Sequence, residues 1–128
     1  MARSVKMIGT GIAVGITFFA MTATIAIAIA GSALSGGQIK TMMSDVTVEG
    51  KMNDGSSYSE FYQGDGGIKG KDYTGRWTVE GDSMCFVYST APQKMCYQIG
   101  ENANGIDWMQ NGKVEGTGSV VKGNVRGY

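Results

Sequence analysis

A chain of 128 residues with 11 basic and 11 acidic side chains and no histidine excludes much chemistry before any element is placed. Histidine is the commonest general base and transition-metal ligand, so Ser-His-Asp and Cys-His nucleophiles are ruled out, and a zinc site would have to be assembled from two cysteines and carboxylates. Arg3 and Lys6 belong to the N-terminus, and the nine basic and eleven acidic residues beyond them form no basic cluster of the kind that neutralises nucleic-acid phosphates.

Met7 to Ala30 carries no charge and sets Ile12, Val14, Ile16, Phe18, Phe19 and Ile25 among alanines, glycines and threonines. The run ends in Ala28-Ile29-Ala30, the small-x-small pattern that signal peptidase accepts, and Gly31-Ser32-Ala33 offers a second such site. A secretory signal over residues 1–30, processed after Ala30 or Ala33, is the expectation. The alternative is a retained apolar helix, because the run reaches the ~20 residues that span a bilayer. In both cases the remainder is exported, and a membrane is a partner only if the segment is retained. No cysteine follows the run, which argues against a lipid-anchored form. Residues 31–45 show no clear period and are expected as a linker with one helical turn near Ile39 to Met43.

From residue 46 the pattern changes to a period of two broken by turns, the mark of half-buried strands. Val46 to Met52 alternates, and Asn53-Asp54-Gly55 is a hairpin signal. Tyr58 to Gln63 puts Tyr58, Glu60 and Tyr62 on one face, with Ser59 and Phe61 on the other. Gly64-Asp65-Gly66-Gly67 turns into a short strand at Ile68 to Gly70. Tyr73, Gly75, Trp77 and Val79 then point one way, and Thr74, Arg76, Thr78 and Glu80 the other. Gly81-Asp82 turns again into Met84 to Ser89, which has almost no polar face and is expected to be covered on both sides or capped by a disulfide. Lys94 to Ile99, Ile106 to Met109 and Lys113 to Val121 follow, the last two joined by Asn111-Gly112. Together these predict an all-β fold over residues 46–122: an antiparallel meander of about seven or eight short strands forming a small barrel or a sandwich, with a polar tail at 123–128 that frays.

Cys85 and Cys96 are the chain's two cysteines. Set opposite each other across a hairpin, they pair Phe86 with Met95, Val87 with Lys94 and Tyr88 with Gln93, leaving Ser89-Thr90-Ala91-Pro92 as the loop. Opposed residues in a non-hydrogen-bonded pair have Cα atoms about 4.5 Å apart, within disulfide reach. A structural bridge is expected, since a redox pair would sit as Cys-x-x-Cys at a helix N-terminus.

Gly75-Arg76-Trp77 resembles the G-x-W signature of lipocalins, where it opens the first barrel strand. Here it lies midway through the exported part and leaves too little chain for the remaining strands, so no lipocalin site is carried over. A longer run resembles small secreted proteobacterial β-sheet proteins of uncharacterised function: Phe61, Asp65-Gly66, Gly70, Tyr73, Gly75-Arg76-Trp77, Gly81-Asp82, Cys85-Phe86, Cys96-Tyr97 and Gly116-Thr117-Gly118. That resemblance implies a bacterial setting, periplasmic or secreted, or an inner-membrane anchor bearing an exported domain.

Asp82, Asp107 and Glu115 fall in turn or solvent-face positions and are expected as solvated charges rather than paired acid/base carboxylates. Asn53-Asp54-Gly55 and Asp65-Gly66 lack the spaced ligands of a calcium loop. Met84 and Met95 lie beside Phe86 and Tyr97, where packing explains them better than Cu(I) ligation does. The reading is therefore a non-enzymatic exported β-domain, with no cofactor or metal, that binds a protein or cell-envelope component through a sheet face or loops. The alternative is a carrier of a small apolar ligand with a cavity lined by Trp77, Phe86 and Trp108. Trp77, Phe86, Tyr97 and Trp108 are the candidate ligand-binding side chains. A cavity favours the carrier, whereas a filled core with an exposed aromatic patch favours the docking module.

Overall fold

The computed structural model describes residues 32–128, so the expected signal or anchor at residues 1–30 lies outside the described residues. One helix, α1 (Gly36–Met43), precedes eight strands: β1 (Val46–Met52), β2 (Ser57–Tyr62), β3 (Gly67–Lys69), β4 (Thr74–Glu80), β5 (Ser83–Tyr88), β6 (Ala91–Asn102), β7 (Gly105–Gln110) and β8 (Lys113–Lys122). Each strand pairs antiparallel with the next, and β8 returns to β1, closing an up-and-down barrel. Closure decides between the two architectures that the strand pattern allowed, although the short β3 pairs only with Phe61 and Tyr62 of β2. Among the described residues, no helix is long and apolar enough to cross a membrane.

Alternation along the strands divides inside from outside. Trp77 is buried on β4 between exposed Arg76 and Thr78, and Met84 and Phe86 are buried on β5 beside exposed Val87. Cys85 points outward yet is buried, because the Cys85–Cys96 disulfide covers it. The strand without a polar face is thus capped on its outer side by the bridge.

The segment expected as a linker is instead the floor of the barrel. Ser35 caps α1 and forms a capping box with Gln38, each side chain bonding the other residue's backbone N–H. The first helical N–H, from Gly36, donates to Asp82 Oδ1 at 2.9 Å, which ties α1 to the β4–β5 turn. Ile39 and Met43, four residues apart and so on one helix face, are fully buried against the strands. Upstream, Ala33 forms a β-bridge with Gly100, and the Leu34 N–H donates to the Ile99 carbonyl at 2.7 Å.

Two further expectations are corrected. The tail does not fray: Thr47 Oγ1 donates to the Gly123 carbonyl and accepts from the Val125 N–H, and Arg126 forms a two-pronged ion pair with Glu49. The β5–β6 hairpin keeps Cys85 opposite Cys96 and Phe86 opposite Met95, but Tyr88 pairs with Ala91 rather than Gln93. The register shift places Pro92 in a bulge, where its missing N–H costs no ladder bond, and shortens the loop to Ser89 and Thr90.

The bridge joins Cα atoms 4.0 Å apart over a sequence separation of 11 and belongs to an oxidising compartment. A loop that short limits the gain in the chain-entropy account to about 3 kcal/mol. Replacing both cysteines by serine is expected to lower the free energy of unfolding by about 2–3 kcal/mol while leaving the strand signal in circular dichroism unchanged. Urea unfolding of the two proteins checks both parts.

Candidate functional site

The barrel interior has two halves. Near α1 it is filled by Ile39, Met43, Val48, Ile68, Met84 and Ile99, all within 1 % of complete burial. The loops β1–β2, β3–β4, β5–β6 and β7–β8 ring the opposite end, and there the interior opens into a cavity of about 300 Å³. Thr90, Ala91 and Met95 are exposed at its mouth. Its walls are aromatic: Tyr58, Phe86, Tyr88, Tyr97 and Trp108, with Tyr62 below them. Phe86 lies 5.5 Å from Trp108 and 6.0 Å from Tyr97 between ring centroids, both edge-to-face. These are the spacings at which aromatic quadrupoles attract.

One charged side chain reaches this space. Glu60, on β2 between Tyr58 and Tyr62, faces inward and is 5 % exposed. Three phenols converge on its carboxylate. Tyr62 donates to Oε2 at 2.5 Å, Tyr88 to Oε2 at 3.0 Å, and Tyr73 to Oε1 at 2.7 Å. A buried carboxylate is tolerated when its lone pairs are met in this way. Tyr73 arrives from the β3–β4 turn, its ring folded over Gly70, where any Cβ would collide with it. Tyr58 takes the other route: its hydroxyl accepts from Trp108 Nε1 at 2.6 Å and donates to the Thr117 carbonyl at 2.8 Å. Gly118 leaves room for that hydroxyl, since a Cβ there would strike it.

Burial pushes the Tyr62, Tyr73 and Tyr88 hydroxyls above the ordinary phenol range, and the charge of Glu60 adds to the effect. Burial also pushes Tyr58 up to about 12, against the lowering effect of the hydrogen bond from Trp108. Tyr97 is raised by burial and then by the nearby carboxylates of Glu115 and Asp54. In every case the protonated hydroxyl is the form the fold holds.

Of the four residues singled out in the sequence, the structure gathers Phe86, Tyr97 and Trp108 around the cavity. Trp77 is not on its wall. It lies beneath, with its ring 6.4 Å from that of Tyr62, its Nε1 donating to the Gln63 carbonyl at 2.9 Å, and Lys40 Nζ 4.5 Å from its ring centroid. Trp77 is therefore part of the filled half. Asp82 is occupied at the start of α1 and Asp107 accepts from Asn102, so neither joins a carboxylate pair with Glu115. Glu80 lies near both cysteine sulfurs, but these are bonded to each other and so offer no thiolate. Glu60 was missed as a site residue, although the signal was present in the alternation that puts it on the face of Tyr58 and Tyr62. A second, more voluminous hollow of about 830 Å³ between α1 and the β6–β7 turn is lined by Leu34, Val46, Ile106 and Val120 together with exposed polar side chains such as Gln38, Thr41, Glu101 and Lys122, and lacks an aromatic wall.

No family model, curated protein or solved structure matches this chain, so the site is read from its own chemistry.

The raised phenols carry a pH signature. A folded-state pKa above the unfolded value of about 10 gives stability that is complete below pH ~10 and is lost as the pH rises through the folded values. Of the six tyrosines, fewer than six are expected to ionise by pH ~11 in the native protein, against all six in denaturant. Phenolate absorbance during an alkaline titration measures the difference, and urea midpoints should fall over the same range.

Proposed function

We propose that this domain takes up a small ligand with an apolar or aromatic body into the open half of its barrel. The observation that carries the reading is the aromatic cavity of about 300 Å³, closed below by Tyr62 and the α1 half of the core and open at the loop end. Its volume is at the lower end of the ~300–1,000 Å³ typical of ligand sites, and it combines apolar walls with a few fixed polar groups as such sites do. The interior of an eight-stranded barrel is just wide enough for side chains to fill or for one small ligand, and here the half away from α1 is left open.

The docking-module reading has less behind it. The exposed large apolar side chains are Val87 and Met95 on β5 and β6, and Val121 and Val125 on β8 and the chain beyond it. Single apolar residues spread in this way are ordinary on a small domain. Binding without catalysis is also the simpler role for Glu60, whose two oxygens are taken up by three phenols held in their protonated form. We also propose that the domain works outside the cytoplasm, where the Cys85–Cys96 bridge would persist, and that processing follows Ala30 rather than Ala33, since Ala33 is bridged to Gly100.

A neutral fluorescent probe, N-phenyl-1-naphthylamine, tests the reading. Saturable binding with a rise in probe emission and quenching of Trp108 is expected. Ala91→Trp, at the exposed mouth, is expected to weaken binding by about tenfold or more by filling the entrance. No saturable binding to the wild type, or binding indifferent to Ala91→Trp, contradicts the proposal.

A further inference from the structure

We infer that the ligand is an organic cation: a protonated amine on a small aromatic or aliphatic body, its ammonium meeting Glu60 inside the ring of aromatic walls. This rests on the cavity being a binding site and names the chemistry it selects.

The argument begins with charge. Glu60 is the one charged residue on the cavity wall. Among the described residues the ion pairs are Lys94 with Glu80 and Arg126 with Glu49, and Glu60 is in neither. The three phenols satisfy hydrogen bonding but bring no positive charge, and a buried carboxylate without a counter-charge is costly. A cation entering the cavity supplies what the barrel leaves out.

The donors and acceptors point the same way. The hydroxyl protons of Tyr62, Tyr73 and Tyr88 go to Glu60, that of Tyr58 goes to the Thr117 carbonyl, and the Trp108 N–H goes to Tyr58. These side chains therefore have no proton left to offer a ligand. Deep in the cavity what remains is acceptor: phenol lone pairs and an open position on Glu60 Oε1, which takes a single phenol while Oε2 takes two; the hydroxyls of Tyr97 and Thr90 on the same wall can either donate or accept. The wall carries no Lys or Arg that could hold a carboxylate or phosphate. Around this acceptor stand the faces and edges of Phe86, Tyr88, Tyr97 and Trp108, and the π faces of such rings attract a desolvated cation. Asp54 and Glu115, near Tyr97, add negative charge on the same side.

Displacement of the bound neutral probe from the full-length protein by three matched compounds decides the matter: 2-phenylethylammonium, 2-phenylethanol and phenylacetate. The cation is expected to displace the probe at about tenfold lower concentration than the alcohol, and phenylacetate is expected not to compete. Glu60→Gln, checked for retained strand content, should remove the cation's advantage while the neutral probe still binds. Equal displacement by cation and alcohol in the wild type overturns the inference without any variant. A cation advantage that survives in Glu60→Gln overturns the role of Glu60. Absence of probe binding to the wild type removes the cavity reading itself and this inference with it, whereas probe binding without cation preference removes only the inference.

Discussion

A carboxylate inside a barrel of this size demands an answer from every strand around it, and the hydrogen bonds from Tyr62, Tyr73 and Tyr88 to Glu60 are that answer. The donors come from three separate places: the same strand two residues on, the turn before β4, and the end of β5. Holding them together fixes the register of β2 against β3, the path of the β3–β4 turn over Gly70, and the last residue of β5 before its two-residue turn. Removing Tyr73 would leave Oε1 without its phenol, and removing Tyr62 or Tyr88 would leave Oε2 with one donor in place of two; losing a hydrogen bond to a buried charged group typically costs ~1–3 kcal/mol.

The rest of the fold makes that arrangement possible by keeping the two ends of the barrel unlike each other. At one end α1 presses Ile39 and Met43 onto the aliphatic half of the interior, and Asp82 and the capping box hold it there. With that half solid, the aromatic half does not need to fill the remaining volume, so a cavity persists. The Cys85–Cys96 bridge lies on the outer face next to Phe86 and fixes the β5–β6 pairing just below the bulge at Pro92. The bulge loosens the register at the mouth while the bridge holds it at the wall. Stability and access are thus separated along the barrel axis.

The parts of this structure that were legible in the sequence are those that depend on a period of two. The strand positions, the inward face of β4 and the pairing of Cys85 with Cys96 follow from alternation and from turn residues, because side chains on a closed sheet alternate between the core and water. Barrel closure was not legible, since β1 meeting β8 is a long-range pairing that local patterns do not encode. The helix was legible only as one turn near Ile39 to Met43, because eight residues carry few periodic positions; its start at Gly36 is marked by Ser35 and Gln38 at capping-box spacing. The tail was misjudged because Thr47 and Glu49, which tie it down, lie more than seventy residues away. At the site, Phe86, Tyr97 and Trp108 were recognisable as aromatic and inward. Trp77 shares their pattern and differs only in depth along the barrel, which alternation does not report. Glu60 was visible as an acid on an aromatic face, but the tyrosines that surround it come from three-dimensional convergence.

The central claim is that the ligand-free barrel holds Glu60 as an acceptor bonded by three phenol protons. Proton NMR of the ligand-free protein tests it most directly. The account predicts slowly exchanging hydroxyl protons from Tyr62, Tyr73 and Tyr88, each lost in turn when that tyrosine is replaced by phenylalanine and all shifted together by Glu60→Gln. Hydroxyl protons that all exchange freely with water, or that ignore the change at Glu60, would contradict it.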